Sequence, residues 1–261
     1  MSDLFSSFPE NTGVFIQGAS RGLGLAMVQL ALKSDRVGFV LASSRNPDRS
    51  DELSKLKSIH KDRLYLGSLD VSDEDSIASL AKEFRNLDRT LHLLVNIAGV
   101  LHDESRKMEP EKKLDDLRAE DALYSFQVNA LGPLLVARYF VDFLAPGRSV
   151  IANLSARVGS IADNGLGGWY SYRASKAAQN MFTKTLSIEL GRYRKSHEAI
   201  CVALHPGTVK TDLSAPFRRH VAEEKLFSTE RAATQLLEVI DKLKKEDQGK
   251  FLAWDGSEIP F

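Results

Sequence analysis

The sequence has a single cysteine, Cys201, among 261 residues. That excludes an internal disulfide and any multi-cysteine metal site, and no metal site is expected. Cys201 sits in an apolar run and reads as a buried core thiol. An excess of one charge is missing too: 35 Lys and Arg stand against 35 Asp and Glu. A nucleic-acid protein draws its affinity from a basic excess, and a polybasic membrane anchor needs the same, so both are excluded as general readings. No apolar run reaches the ~18 residues that span a bilayer. The opening MSDLFSSFPENTG lacks the basic segment and apolar stretch of a secretory signal. Internal repeats, low-complexity tracts and Pro/Gly/Ser linkers are also lacking. These absences point to a soluble protein of a reducing compartment, the cytoplasm.

What is present is an alternation. Apolar residues make up 43% and charged residues 27%, the composition of an ordinary globular chain. Val14-Phe15-Ile16 reads as a buried strand, followed by a glycine-rich turn and a helical pattern through Leu25, Val28 and Leu32. Further strands are expected at 37–42, 64–69, 91–96, 150–154, 200–204 and 251–254. Helices are expected between them, one over 51–59. Another is capped by Ser72 and carries Ile77, Leu80, Ala81 and Phe84 at helical spacing. The charged stretch from His102 to Asp121 reads as a solvated excursion leading into a long helix. Strands separated by helices imply parallel pairing with right-handed crossovers, a doubly wound α/β sheet with helices on both faces. The whole chain, 1–261, is expected to form one domain with an N-terminal extension over 1–12.

The first turn reads Gly18-Ala19-Ser20-Arg21-Gly22-Leu23-Gly24, between a strand and a helix. Glycines there let the backbone turn tightly and let a pyrophosphate approach free N–H groups at a helix N-terminus. The spacing Gly-x3-Gly-x-Gly is followed by Asp70 after the third strand and Asn96-Ile97-Ala98-Gly99 after the fourth. Asn129 in a helix, Tyr172-x3-Lys176 and Pro206-Gly207-x-Val209-x-Thr211 complete the series. In this order the motifs resemble those of the short-chain dehydrogenase/reductase family, from about Gly13 to Gly256. Within it, Cys201-x3-His205-Pro206-Gly207 and Ala253-Trp254-Asp255-Gly256 look most like the C-factor and sniffer-type carbonyl reductase branch. The resemblance implies a Rossmann fold with a seven-stranded sheet, a nicotinamide cofactor and a homodimer or homotetramer. It places Gly18, Ser20, Arg21, Gly22, Leu23 and Gly24 at the pyrophosphate, and Asp70 and Val71 at the adenine. Asn96, Ala98 and Gly99 would lie beside the adenine ribose, and Pro206, Gly207, Val209 and Thr211 around the nicotinamide and phosphates. Asp70 reads equally well as a turn or capping carboxylate.

An NAD site puts a carboxylate on the ribose 2′-hydroxyl about 20 residues after the glycines. Here that stretch is Ala42-Ser43-Ser44-Arg45-Asn46, with no acid. Arg45 is suited to pair bidentately with a 2′-phosphate, and Arg21 adds a second positive charge. NADP(H) is therefore favoured over NAD(H).

Tyr172 and Lys176, four apart on a helix, share one face. A free tyrosine titrates near ~10, and a neighbouring ammonium favours the phenolate. The resemblance makes Tyr172 the general acid, has Lys176 bind the nicotinamide ribose and tune it, and has Asn129 anchor a proton-relay water. The family's catalytic serine stands three residues before a glycine; here that position, before Gly159, is Ala156. Ser155 is favoured over Ser160 as its substitute, with purely structural roles for both left open. Trp169 and Tyr170 are candidates to line a substrate loop, and 213–228, with Phe217, Arg218, Arg219 and Leu226, is where the family places a substrate lid. His205 reads as a structural turn residue. The function these residues favour is an NADPH-dependent carbonyl reductase acting on a small carbonyl or alcohol. The alternative is a catalytically weak cofactor-binding signalling protein of the C-factor type, which Ala156 keeps open.

Overall fold

The central strands form where short runs of aliphatic and aromatic residues stand together, as at Val14-Phe15-Ile16 and Leu93-Leu94-Val95. The computed structural model describes residues 4–193, 197–218 and 221–261, the side chains of Tyr193 and His197 excepted. Its elements run β1 (Thr12–Gln17), α1 (Gly22–Lys33), β2 (Val37–Ser44), α2 (Asp51–Ile59), β3 (Leu64–Ser68), α3 (Glu74–Arg85) and β4 (Leu93–Asn96). They continue with α4 (Ala119–Phe126), α5 (Gly132–Phe140), β5 (Gly147–Leu154), α6 (Tyr170–Tyr193), β6 (His197–His205), β7 (Thr208–Val209), β8 (Leu226–Phe227), α7 (Thr229–Lys242) and β9 (Phe251–Ala253). Seven strands form one sheet in the order β3-β2-β1-β4-β5-β6-β9, every neighbouring pair parallel. This is the doubly wound sheet expected from the alternation. The parallel pair β7–β8, two residues each, was not foreseen.

Because successive side chains on a strand point to opposite faces, each central strand feeds two cores. Val14, Ile16, Val40, Val95, Val150 and Val202 pack on one side with residues of α1 and α7. Phe15, Leu41, Leu94, Ile151 and Cys201 pack on the other with residues of α3 and α5. Strands buried on both faces read as unbroken apolar runs, which is why the pattern was visible. Cys201 is fully buried, and burial pushes its thiol up to about 12. Before β1, Phe5 and Phe8 are buried in the first core and the hydroxyls of Ser6 and Ser7 donate to Asp241.

Two local readings need correction. The cap of α3 is Asp73, whose carboxylate accepts Asp75 N–H, because Ser72 Oγ is already donating to Asp70. The stretch 102–121 is only partly solvated: Met108, Glu111 and Asp121 are buried. Charge density along the sequence does not tell which few side chains of a charged segment turn inward.

Candidate active site

The carboxyl ends of β1, β2, β4, β5 and β6 all open on one cleft of about 1640 Å³. Ligands of doubly wound sheets bind at this end, where crossovers diverge to opposite faces. The cleft is larger than the 300–1,000 Å³ of ordinary small-molecule sites.

One half is built by the glycine turn. Gly18 has φ of +86°, and a Cβ there would lie 2.7 Å from the backbone nitrogen of Ala98. Gly24 packs so tightly on the Gly18 carbonyl that a Cβ has no room; it closes α1 against β1 and does not line the cleft. The N-cap of α1 is Arg21, which supplies no side-chain acceptor, and no acid stands in the first turn. The first N–H groups of α1 are thus offered to the cleft uncapped, beside Ser20, Gly22 and Leu23. An uncapped helix end behind a glycine turn is built to receive an anion. These features fit the pyrophosphate of a nicotinamide dinucleotide.

Next to it, Ser44, Arg45, Asn46 and Arg49 line the cleft at the end of β2. Ser44 Oγ is buried with no hydrogen-bond partner, and neither arginine is in an ion pair among the described residues. Arg49 was missed in the sequence because it belongs to a short turn, 47–49, that has no periodicity to reveal it. Arg21 differs from expectation: its guanidinium is paired with Asp212 at 3.0 Å, both side chains well exposed. Asp70 and Val71 line the cleft, and Asp70 also accepts from Ser72 N–H and Oγ–H, so its turn role holds as well. Ala98, Gly99, Pro206, Gly207, Val209 and Thr211 line it too. Asn96 does not. Its amide is buried, donating to Asn153 Oδ1 at 2.8 Å, so it ties β4 to β5.

At the other half, α6 presents Tyr172 and Lys176 to the cleft. Gly159 allows this approach, since a Cβ there would stand 2.7 Å from that of Lys176. Lys176 Nζ donates to Leu154 O at 2.8 Å and to Gln179 Oε1 at 2.9 Å. Gln179, one helical turn on, gave no signal in the sequence beyond being a polar residue on a helix. Lys176 Nζ lies 5.9 Å from the centre of the Tyr172 ring. Burial pushes Lys176 down to about 7 and pushes the Tyr172 phenol above its ordinary value. The expected lowering of Tyr172 by its lysine is therefore not what the chain's own groups produce. Desolvation outweighs the neighbour, and the same burial that raises the phenol lowers the lysine. Tyr172 keeps its proton, and its hydroxyl makes no hydrogen bond among the described residues.

Asn129 lies in a π-helical turn, 127–131, fully buried and off the cleft wall. Its Oδ1 accepts Val100 N–H at 2.7 Å, and its Nδ2 donates to Val100 O and Ser175 Oγ. Ser175 in turn donates to the Tyr172 carbonyl. With both amide hydrogens used, the side chain has no donor left for a relay water; it braces the turn that carries Tyr172. Ser155 Oγ donates to Asn180 Oδ1 at 2.7 Å, and Ser160, off the cleft, accepts Asp163 N–H. Ser155 follows the last residue of β5 and lines the cleft, but its hydroxyl proton is given to Asn180, whereas Ser160 stands away from the cleft. His205 Nδ1 accepts Arg157 N–H at 3.3 Å, and burial holds the imidazole down to about 4, as a structural acceptor requires.

Above Tyr172, the Trp169 ring meets it edge-on at 6.2 Å and meets Phe217 at 5.0 Å. Leu166 and Leu213 line the cleft nearby. Tyr170 does not line it, and of the expected lid, residues 219 and 220 lie outside the described residues. Arg157 is paired with Asp163, and Arg173 donates to the carbonyls of Val158, Gly167 and Gly168.

A family model described as short chain dehydrogenase matches residues 12–222. The chain belongs to that family. It is a Rossmann-fold oxidoreductase. Among solved structures it is similar to the NADPH-bound carbonyl reductase from chicken fatty liver, at 32% identity and a TM-score of 0.84, covering 97% of this chain and 100% of that one. It is also similar to the carbonyl reductase Sniffer of D. melanogaster, at 27% identity and a TM-score of 0.83, over 97% and 100%. A curated relative, the C-signal of Myxococcus xanthus, is 36% identical over 149 residues, 57% of this chain and 83% of its own. Among the described residues no helix is long and apolar enough to cross a membrane, and no acidic, His or Cys group is placed to hold a metal ion.

Proposed function

We propose that this oxidoreductase is an NADPH-dependent carbonyl reductase, with Tyr172 giving its proton to the carbonyl oxygen of a small substrate. The observation that carries the reading is the placement of Tyr172: buried, on the wall of the large cleft, with a hydroxyl that bonds to no described residue. A bound nicotinamide supplies the hydride in reduction and receives it in the reverse direction. The glycine turn and the uncapped end of α1 would hold the pyrophosphate, and Lys176 would face the nicotinamide ribose. Arg45 and Arg49, cations just past the end of β2 that pair with no acid among the described residues, are suited to a 2′-phosphate, which supports NADPH over NADH. Trp169, edge-on to Tyr172, and Phe217, packed on Trp169, make the substrate side apolar.

The same reading treats the whole chain as one domain working in the cytoplasm, with 213–228 closing over the substrate. Leu123, Phe126, Met181 and Ile188 are exposed on α4 and α6, in keeping with a homodimer or homotetramer through these helices.

The test is oxidation of NADPH and of NADH against a panel of aldehydes, ketones and quinones. Turnover with NADPH on members of the panel is expected. Tight NADPH binding with no turnover on any of them would favour a signalling role instead. Ala156, which leaves no hydroxyl beside Ser155, is the residue that keeps that second reading in play.

A further inference from the structure

The helix that carries Tyr172 begins without a cap of its own. Its N-cap position is held by Trp169, which has no side-chain acceptor and adopts φ of +52° after two glycines at +65° and +67°. Left-handed backbone at a bulky residue is unfavourable and persists only where the surroundings enforce it. The enforcing group comes from a different part of the chain. Glu111, in the segment before α4, is 5% exposed. Its main-chain carbonyl accepts the Trp169 N–H. Its carboxylate accepts the N–H of Ser171, at 3.3 Å and 3.4 Å to its two oxygens, and also the Ser171 hydroxyl. Ser171 is the second residue of α6, so the carboxylate satisfies the N–H that a capping side chain normally takes, and it puts negative charge at the positive end of the helix dipole.

We infer that Glu111 is a positioning residue for catalysis: a cap supplied in trans that fixes Trp169 and Tyr172, the residues on either side of Tyr170-Ser171, as one rigid wall of the substrate site. This rests on the proposed role of Tyr172. A cap acts within the first helical turn, which contains Tyr172, whereas Lys176 lies a turn further on and is held independently by Leu154 and Gln179. Loss of the carboxylate therefore misplaces the acid and the Trp169 ring while leaving the cofactor half of the cleft intact.

The experiment compares Glu111→Ala, Glu111→Asp and Glu111→Gln with the wild type. It reads kcat, NADPH dissociation constant and the ¹⁹F spectrum of protein labelled with 5-fluorotryptophan. The chain has two tryptophans and so two resonances, assigned with Trp169→Phe. Glu111→Ala is expected to lower kcat about tenfold, the scale of a lost cap, with NADPH binding within twofold of wild type. The Trp169 resonance shifts or broadens while that of Trp254 stays. Glu111→Gln, which keeps an acceptor for Ser171 N–H, recovers most of the rate. Glu111→Asp, one methylene short, falls like the alanine variant, and it decides the matter if the alanine variant does not fold. Wild-type kcat with an unmoved Trp169 resonance in the alanine or aspartate variant would overturn the inference, as would equal losses of kcat and NADPH affinity. Turnover retained by Tyr172→Phe would instead sink the role of Tyr172. Should the wild type turn over no substrate, the Trp169 resonance still decides whether Glu111 fixes the wall.

Discussion

The lysine beside Tyr172 should leave a signature in the pH dependence of folding, measurable without knowing the substrate. Lys176 titrates near 10.5 when unfolded, and burial brings it to about 7 in the fold. A lysine lowered on folding costs stability wherever the unfolded state holds the proton more strongly. The cost is greatest below pH 7 and vanishes above about 10.5, so stability rises with pH between these limits. From the two values the cost is about 4 kcal/mol at pH 7 and about 2 kcal/mol at pH 9, to order of magnitude. Replacing Lys176 by Met keeps the apolar stem and removes the titration. It also strands the acceptors Leu154 O and Gln179 Oε1, each at about 1–3 kcal/mol, so the sign of the change at one pH is not diagnostic. The slope is. Urea unfolding at pH 7 and pH 9, without cofactor, should show the wild type gaining about 2 kcal/mol more than Lys176→Met over this interval. Contributions of Cys201 and Tyr172, which titrate at the alkaline side, are common to both proteins and cancel in the comparison. Parallel pH dependences would mean that Lys176 stays fully charged in the fold, and would refute the argument from burial.

Two further outcomes follow from the same geometry. Replacing Arg45 and Arg49 together by Ala should weaken NADPH about 10- to 100-fold while leaving NADH within about threefold, since charge-assisted bonds are worth roughly 1.5–3 kcal/mol; calorimetric titration with both cofactors reads this directly. Ser155→Ala and Ser160→Ala should each lose about 1 kcal/mol of stability with kcat within about threefold, because both hydroxyls serve internal bonds. A hundredfold fall in kcat for either one would return it to the reacting centre.

Much of the fold was legible because buried parallel strands leave apolar runs and the turns between elements leave glycines. The succession of strands and helices, the glycine turn before α1 and the four-residue spacing of Tyr172 and Lys176 on one helix all came from such local signals. What escaped was set by tertiary contacts. Asn96 and Asn129 look like ligand contacts in their motifs but are buried off the cleft, the Nδ2 of Asn96 donating to Asn153 and the amide of Asn129 bonding to Val100 and Ser175. Ser155 reaches the cleft wall, but its hydroxyl proton goes to Asn180, a partner 25 residues away that the sequence does not reveal. Glu111 stood in a stretch dense in charge, where nothing in the sequence singles out the one carboxylate that turns inward. The sequence likewise shows the lysine neighbour of Tyr172 but not how deeply both are buried, and among the chain's own groups burial is what raises the phenol.

The central claim is that the Tyr172 hydroxyl delivers the proton. Tyr172→Phe removes that oxygen and little else, since the hydroxyl bonds to no described residue and the ring stays packed against Trp169. The measurement is turnover of NADPH with a carbonyl substrate, alongside NADPH affinity, in this variant and the wild type. A fall in kcat of at least about a thousandfold with NADPH affinity unchanged is the predicted result, on the scale of a lost general acid. Turnover within tenfold of wild type would contradict the account.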